Sequence, residues 1–215
     1  MVRPSRNVDT QLLRAGLELL PEVGTAGLSV RRVAERAGAN LGMFHYHFKT
    51  RDAFVRALLA QLYDEMFADL ELAAGDPAPF AALRGALGVL ARFARAHRQL
   101  LRRLIADAMN GEPLAQEFLR ATMPRHIRVV LGLVVAAQTA GLMKPVPPPL
   151  ALGFIAGAVA APILVGSALV ERGLAPQEIA AAFDDAVLSD RAIDMRIDLV
   201  LAGLEQHPPK KLRRS

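Results

Sequence analysis

Apolar residues recur at helical spacing along almost the whole chain, and no segment alternates between apolar and polar residues for long. The clearest stripe is formed by Phe54, Leu58, Leu62, Met66 and Leu70, whose members are four positions apart and therefore lie on one face of a helix. A half-buried strand would instead alternate with a period of two. The chain is therefore predicted to be all-α.

The formal net charge of +5 is distributed unevenly. Residues 1–51 contain eight Lys or Arg and four Asp or Glu, the tail 210–214 is basic, and residues 52–209 are mildly acidic. A basic segment joined to an acidic body favours a head that binds a polyanion, although a solvated basic surface is an equal alternative. The sequence has no cysteine and no apolar signal-peptide core near residue 1, so we expect a cytoplasmic protein.

Residues 29–48 have the pattern of a helix-turn-helix. Ser29 is a predicted N-cap, and Gly38 can adopt the positive φ that a tight turn requires before a second short helix over 41–47. Thr50 is the predicted cap of the helix that follows. A helical corner inside a larger bundle would give a similar pattern, but the basic charge nearby favours contact with nucleic acid.

The run from Ser29 to Gly38, followed by the run from Asn40 to Arg51, resembles the DNA-binding domain of the TetR (tetracycline-repressor-like) family. The resemblance covers about residues 8–67. It implies an all-α protein with an N-terminal helix-turn-helix three-helix domain, residues 1–50, and a C-terminal helical ligand-binding and dimerisation domain, residues 51–215. It also implies a ligand-responsive transcriptional regulator, usually a repressor, that binds a double-stranded DNA operator as a homodimer.

The same resemblance implies which residues contact DNA. Residues at the matching positions are Ser29, Arg31, Arg32, Asn40, Leu41, Gly42, Met43, His45, Tyr46, His47, Lys49, Thr50 and Arg51. The apolar Leu41 and Met43 favour contacts to thymine methyl groups or recognition of DNA shape. His45 departs from the family, in which most members have a phosphate-contacting tyrosine. A histidine donates more strongly to phosphate when protonated, so tight binding at alkaline pH is less expected.

The C-terminal region offers candidates for an effector pocket, each of which is also compatible with an ordinary core or surface position. They are Phe93, His97, Met109, Phe118, Met123, His126 and Gln138. Their apolar character favours a small hydrophobic or amphipathic effector. The two histidines lack metal-ligand spacing, and the sequence contains no catalytic motif, so we expect no metal, no cofactor and no enzymatic activity.

Residues 151–170 contain no charged residue, and a stretch of this length could span a membrane. Alanine and glycine dominate the first half and Pro162 interrupts the middle, so a helix at a subunit interface is the favoured interpretation. The resemblance implies a four-helix bundle between protomers, with interface residues Gly153, Gly157, Ile193, Ile197, Val200 and Leu204. The alternatives are a regulator anchored in the membrane through 151–170 and a DNA-binding regulator without an effector.

Overall fold

A computed structural model describes residues 8–206, so the basic tail 210–214 lies outside the described residues. Within the described part of the chain the regular structure is helical, apart from an isolated antiparallel bridge between Met143 and Glu205. The predicted all-α fold class is therefore confirmed. The helices are α1 (Val8–Gly27), α2 (Val30–Arg36), α3 (Leu41–Phe48), α4 (Arg51–Ala74), α5 (Pro79–Ala96), α6 (Arg98–Met109), α7 (Pro113–Thr139), α8 (Pro148–Ala161), α9 (Ser167–Glu171), α10 (Gln177–Phe183) and α11 (Asp190–Leu204).

The described residues pack as two compact units. The first comprises residues 8–67 and 97–125, and the second comprises residues 68–96 and 126–206. Both α4 and α7 contribute residues to each unit. These packing units do not coincide with the predicted boundary at residue 50. That boundary separates a DNA-binding domain from an effector-binding and dimerisation domain, and it stays a prediction.

Aromatic side chains form the centre of the first unit around the start of α4. Phe44 and Phe54 are fully buried, with ring centroids 5.0 Å apart, and the Phe48 ring lies 4.9 Å from that of Phe54. These contacts fix α3 on α4. The predicted apolar stripe of α4 is confirmed, because all five of its members are buried.

In the second unit, α11 packs against α5 and α8. Ion pairs border the contact with α5, since Arg84 Nε lies 2.6 Å from Asp198 Oδ1 and Arg92 Nη2 lies 2.8 Å from Asp194 Oδ1. A π-helical segment, Pro162–Gly166, follows α8 directly. Pro162 has no N–H to continue the regular hydrogen-bond register, and the Ser167 amide bonds to the Pro162 carbonyl instead.

Candidate nucleic-acid interface

Local capping rules explain how α2 and α3 form. The Ser29 side chain accepts a hydrogen bond from the Arg32 amide at 3.5 Å, and Asn40 Oδ1 accepts one from the Met43 amide at 2.9 Å. Gly38, between the two helices, has φ of +65°, so its predicted conformation is confirmed. Thr50 caps α4 as predicted, because its Oγ1 accepts from the Ala53 amide at 3.1 Å.

Three of the predicted DNA-contacting side chains are therefore occupied on one side by capping. Ser29 and Thr50 each keep a hydroxyl hydrogen that can donate to a phosphate, and Asn40 keeps its NH₂ group. Gly42 stands close to the Asn40 cap, since a Cβ added there would lie 3.2 Å from Asn40 Oδ1. The structure thus assigns these residues to shaping the helix-turn-helix, and their contact with DNA stays a prediction.

The outer face of α3 presents side chains that have no counterpart to pack against. Tyr46 has 70% of its surface exposed and Leu41 has 47%, whereas Phe44 on the opposite face is fully buried. Gly42 and His45 are also exposed, and Met43 is half-buried. An exposed tyrosine and leucine beside a glycine form a surface that can approach a DNA groove closely.

Cationic side chains border this face, but they differ in availability. Lys49 is exposed, and its φ of +58° is unusual for a residue with a side chain. Arg31 pairs with Glu35 at 2.9 Å, and Arg32 lies 3.9 Å from Glu22. Because exposed ion pairs contribute about 1 kcal/mol at most, both arginines can exchange their carboxylate for a phosphate at little cost.

Two of the predicted contact residues also make contacts within the chain. Arg51 donates from Nη1 to the Ala26 carbonyl at 2.6 Å and from Nε to Asp52 at 2.9 Å, so its guanidinium links the end of α1 to the start of α4. His47 is half-buried between Tyr46 and Phe48, and its Nε2 is buried without a hydrogen-bond partner among the described residues. Both side chains therefore support the fold of the helix-turn-helix, and their contact with DNA stays a prediction.

A buried polar cluster that the sequence did not indicate joins α1 to α6. The amide and hydroxyl of Thr25 both donate to Asp107 Oδ2, at 2.9 and 3.0 Å. Arg103 Nε donates to the other carboxylate oxygen at 2.9 Å, and Glu112 Oε2 lies 2.7 Å from the Thr25 hydroxyl. Gly24 makes this approach possible, because its φ is +72° and an added Cβ would lie 2.6 Å from Asp107 Oδ2. We call these residues the Thr25–Asp107 cluster.

The structure divides the predicted effector-contacting residues. Met109 and Met123 are 83% and 45% exposed, and the Gln138 amide donates to the carbonyls of Lys144 and Val146, so these three do not have the surroundings of pocket residues. Phe93, His97, Phe118 and His126 are half-buried, and their role stays a prediction. Burial lowers the pKa of His97 below its usual value, against a smaller opposing effect of Glu65.

The predicted interface stripe on α11 is wrong. Ile193, Ile197, Val200 and Leu204 are buried in a single chain, because α11 turns this face toward α5 and α8. A residue already covered by its own chain is not available to a partner. Gly153 and Gly157 on α8 are exposed, with open space where a side chain would be, so they remain accessible.

A different apolar surface is exposed on the same two helices. Phe154 is 50% exposed and its ring lies beside Gly203, which shows that α8 and α11 are adjacent there. Met195 and Leu199 of α11 are also exposed. We call this surface the α8–α11 face; its exposed residues are Leu150, Gly153, Phe154, Gly157, Met195 and Leu199.

By length and composition, the stretch Pro148–Glu171 could cross a membrane. In its most apolar 18 residues, 28% are buried within the chain. Among residues 8–206, no cluster of three or more His, Cys, Asp or Glu side chains could hold a metal ion.

Comparison with known proteins gives matches at two levels. Residues 12–58 match the family of bacterial regulatory proteins described as the tetR family. The HTH-type transcriptional regulator RutR of Escherichia coli K12 is 26% identical over 137 residues, which cover 64% of this chain and 65% of RutR. The class A tetracycline repressor of Escherichia coli is 41% identical over 58 residues, 27% of this chain and 25% of the repressor. The chain therefore spans just under two thirds of RutR.

Solved structures resemble this chain over most of its length. The ketosteroid transcriptional regulator of Mycobacterium tuberculosis aligns with a TM-score of 0.67 at 18% identity, covering 95% of this chain and 97% of that one. The TetR-family regulator PfmR of Thermus thermophilus aligns with a TM-score of 0.65 at 18% identity, covering 91% and 99%. At this identity the likeness establishes the fold. The sequence relatives are named as regulators of transcription, and the absence of enzymatic activity in this chain stays a prediction.

Proposed function

We propose that the chain, whose residues 12–58 match the tetR family of bacterial regulatory proteins, is a cytoplasmic, homodimeric repressor of transcription. The repressor binds a near-palindromic DNA operator and is released by a small hydrophobic or amphipathic effector. The observation that supports DNA binding best is the outer face of α3, where Tyr46 and Leu41 are exposed while Phe44 anchors the helix from behind. Together these exposed side chains form a patch that another molecule can cover.

The division of labour on this face follows from the side-chain chemistry. Tyr46, Leu41 and Met43 contact base edges and thymine methyl groups, and Gly42 lets the backbone approach the groove. Lys49, Arg31 and Arg32 contact phosphates, which position the helix but do not discriminate between sequences. Lys49 is the most available of these cations, because no carboxylate pairs with it among the described residues.

Dimerisation is supported by the α8–α11 face. One short α3 contacts few base pairs, whereas two copies related by a twofold axis reach successive major grooves about 34–36 Å apart. The exposed Leu150, Phe154 and Leu199 give an apolar surface on the two helices that the resemblance assigns to the subunit interface. The same surface accounts for the apolar composition of 151–170 without a membrane.

The match to the tetR family suggests a mechanism for release by an effector. DNA favours the dimer whose two α3 helices match the groove spacing, and an effector that favours another spacing shifts the population away from it. We assign the coupling to α4, whose Phe54 contacts α3 at one end and whose later residues belong to the second unit. By reciprocity the effector binds more weakly to the DNA-bound protein.

Selection of duplexes from a random DNA library tests the proposal. We expect the purified chain to enrich a near-palindrome whose half-site centres are about 10 base pairs apart. Tyr46→Ala should alter the enriched sequence, whereas Leu72→Ala, which truncates an exposed leucine of α4, should not. Failure to bind any duplex would refute the function, and unchanged enrichment by Tyr46→Ala would remove Tyr46 from the base-contacting residues.

Release is tested separately with the selected operator. A panel of hydrophobic and amphipathic metabolites is screened by thermal shift, and each stabilising compound is then titrated into the operator complex. We expect at least one compound to dissociate the complex and to bind the operator-bound protein less tightly than the free protein. Equal affinity for the two forms would exclude the population shift.

A further inference from the structure

The ring of His45 has a fixed hydrogen-bonding arrangement at the end of α3. Its Nδ1 lies 3.0 Å from the carbonyl oxygen of Lys49, the residue that follows α3 with a positive φ. A carbonyl oxygen only accepts hydrogen bonds, so Nδ1 must bear the hydrogen in this contact. His45 is exposed, and its Nε2 has no partner among the described residues.

This arrangement limits what the neutral ring can do. A neutral imidazole has a single N–H, and the bond to Lys49 uses it, so Nε2 bears a lone pair. Phosphate oxygens are also acceptors and cannot bond to that lone pair. Protonation adds a hydrogen at Nε2 while the Nδ1 bond is kept, and the resulting N–H is charged, which strengthens a bond to phosphate.

We infer that His45 contacts a DNA phosphate only in its protonated form, so that DNA binding by this chain takes up protons. The inference rests on the proposed DNA-binding function and adds a regulation by pH to it. A tyrosine hydroxyl donates its hydrogen at any pH near neutrality, whereas His45 donates from Nε2 only as imidazolium.

The protein groups around His45 leave its Nε2 open to an external anion. Charged groups on the neighbouring elements are largely paired with one another: Arg31 with Glu35, Arg32 with Glu22, Arg36 and Arg14 with Glu18, and Arg51 with Asp52. No carboxylate of the described chain lies within 4.0 Å of His45. The nearby Lys49 attracts the same phosphate. The Nε2 of the neighbouring His47 is buried and is therefore closed to an external phosphate.

The test measures the association of the full-length chain with a fluorescein-labelled mixed-sequence duplex of about 30 base pairs by fluorescence anisotropy. Such a duplex suffices because a phosphate contact is independent of sequence. Wild type, His45→Gln and His45→Tyr are compared at about pH 6 and about pH 8 at constant ionic strength. Glutamine and tyrosine both keep a donor that does not titrate in this interval, and the exposed position tolerates either side chain.

We expect the wild-type association constant to rise by about tenfold per protomer more than that of His45→Gln between the higher and the lower pH. His45→Tyr should bind more tightly than wild type at the higher pH. Equal pH dependence of wild type and His45→Gln would overturn the inference while leaving DNA binding intact. If no variant binds the duplex at either pH, the proposed function itself fails, and the inference with it.

A second readout is independent of DNA. Long-range ¹H–¹⁵N correlation spectra of the free protein distinguish the two neutral tautomers of a histidine ring. We expect His45 to have its hydrogen on Nδ1 at alkaline pH, and a hydrogen on Nε2 instead would overturn the inference.

Discussion

Replacing Leu199 by aspartate tests whether the α8–α11 face joins two protomers. Leu199 is 66% exposed on the single chain, so the substitution leaves the core of the second unit intact. Full burial of a leucine side chain contributes about 1.5–3 kcal/mol, so covering the exposed two thirds contributes about 1–2 kcal/mol for each protomer. A twofold axis makes the substitution occur twice in the interface, which brings the loss to about 2–4 kcal/mol.

The dimer dissociation constant of Leu199→Asp should therefore rise by about 30-fold to 1,000-fold. Desolvation of the two new carboxylates would add to this effect. Sedimentation velocity over a dilution series measures the constant directly. Leu72→Asp is the matched control, because Leu72 is an even more exposed leucine and belongs to α4 rather than to α8 or α11.

Ile197→Ala separates this surface from the buried side of the same helix. Ile197 lies in the core of its own chain, so its truncation should reduce the free energy of unfolding by about 2–5 kcal/mol. At temperatures where the variant stays folded, its dimer constant should change much less than that of Leu199→Asp. A Leu199→Asp protein that sediments as a dimer throughout the dilution series would refute the assignment of the face.

Three further predictions concern the first unit. Lys49→Ala should weaken binding to any duplex and lower the salt slope of the association constant by about one per protomer, and an unchanged slope would contradict the phosphate contact. Asp107→Ala leaves the buried Thr25 amide without its acceptor and should lower the free energy of unfolding, measured by urea denaturation, by about 2–4 kcal/mol. Arg103→Ala removes only an exposed partner of Asp107 and should lower it by about 1 kcal/mol or less. Because burial lowers the pKa of His97, the unfolded chain binds a proton at this ring more readily than the folded chain does. The free energy of unfolding should therefore fall as the pH drops below about 6.5, and it should fall less in His97→Gln. Equal urea midpoints for the two proteins as the pH is lowered through about 6.5 would contradict this prediction.

Features that depend on a few neighbouring residues were predictable from the sequence. Ser29, Gly38 and Thr50 cap or turn helices within three or four positions of themselves, and the stripe from Phe54 to Leu70 lies inside one helix. The α2–α3 corner and its exposed side chains follow from the same local rules.

Features that depend on distant partners were not predictable. Periodicity indicated that Ile193 and Ile197 share a face of α11, but it could not show that α5 and α8 of the same chain cover that face. Resemblance placed Arg51 among the phosphate contacts, yet its partner is the Ala26 carbonyl, 25 positions away. Pro124 lies within α7 without ending it, although a proline inside a helix usually kinks or breaks it. A proline removes one hydrogen bond, and the long flanking turns outweigh that loss.

The Thr25–Asp107 cluster has a consequence for building hybrid regulators from this chain. Exchange of residues 1–50 alone, at the predicted domain boundary, would separate Thr25 from a carboxylate 82 positions away and leave a buried amide without its acceptor. It would also place Gly24, whose positive φ suits only this contact, against a foreign helix. A graft that keeps its specificity and its stability should therefore transfer α6 and the first turn of α7 together with the helix-turn-helix. In this chain the portable module is discontinuous in sequence.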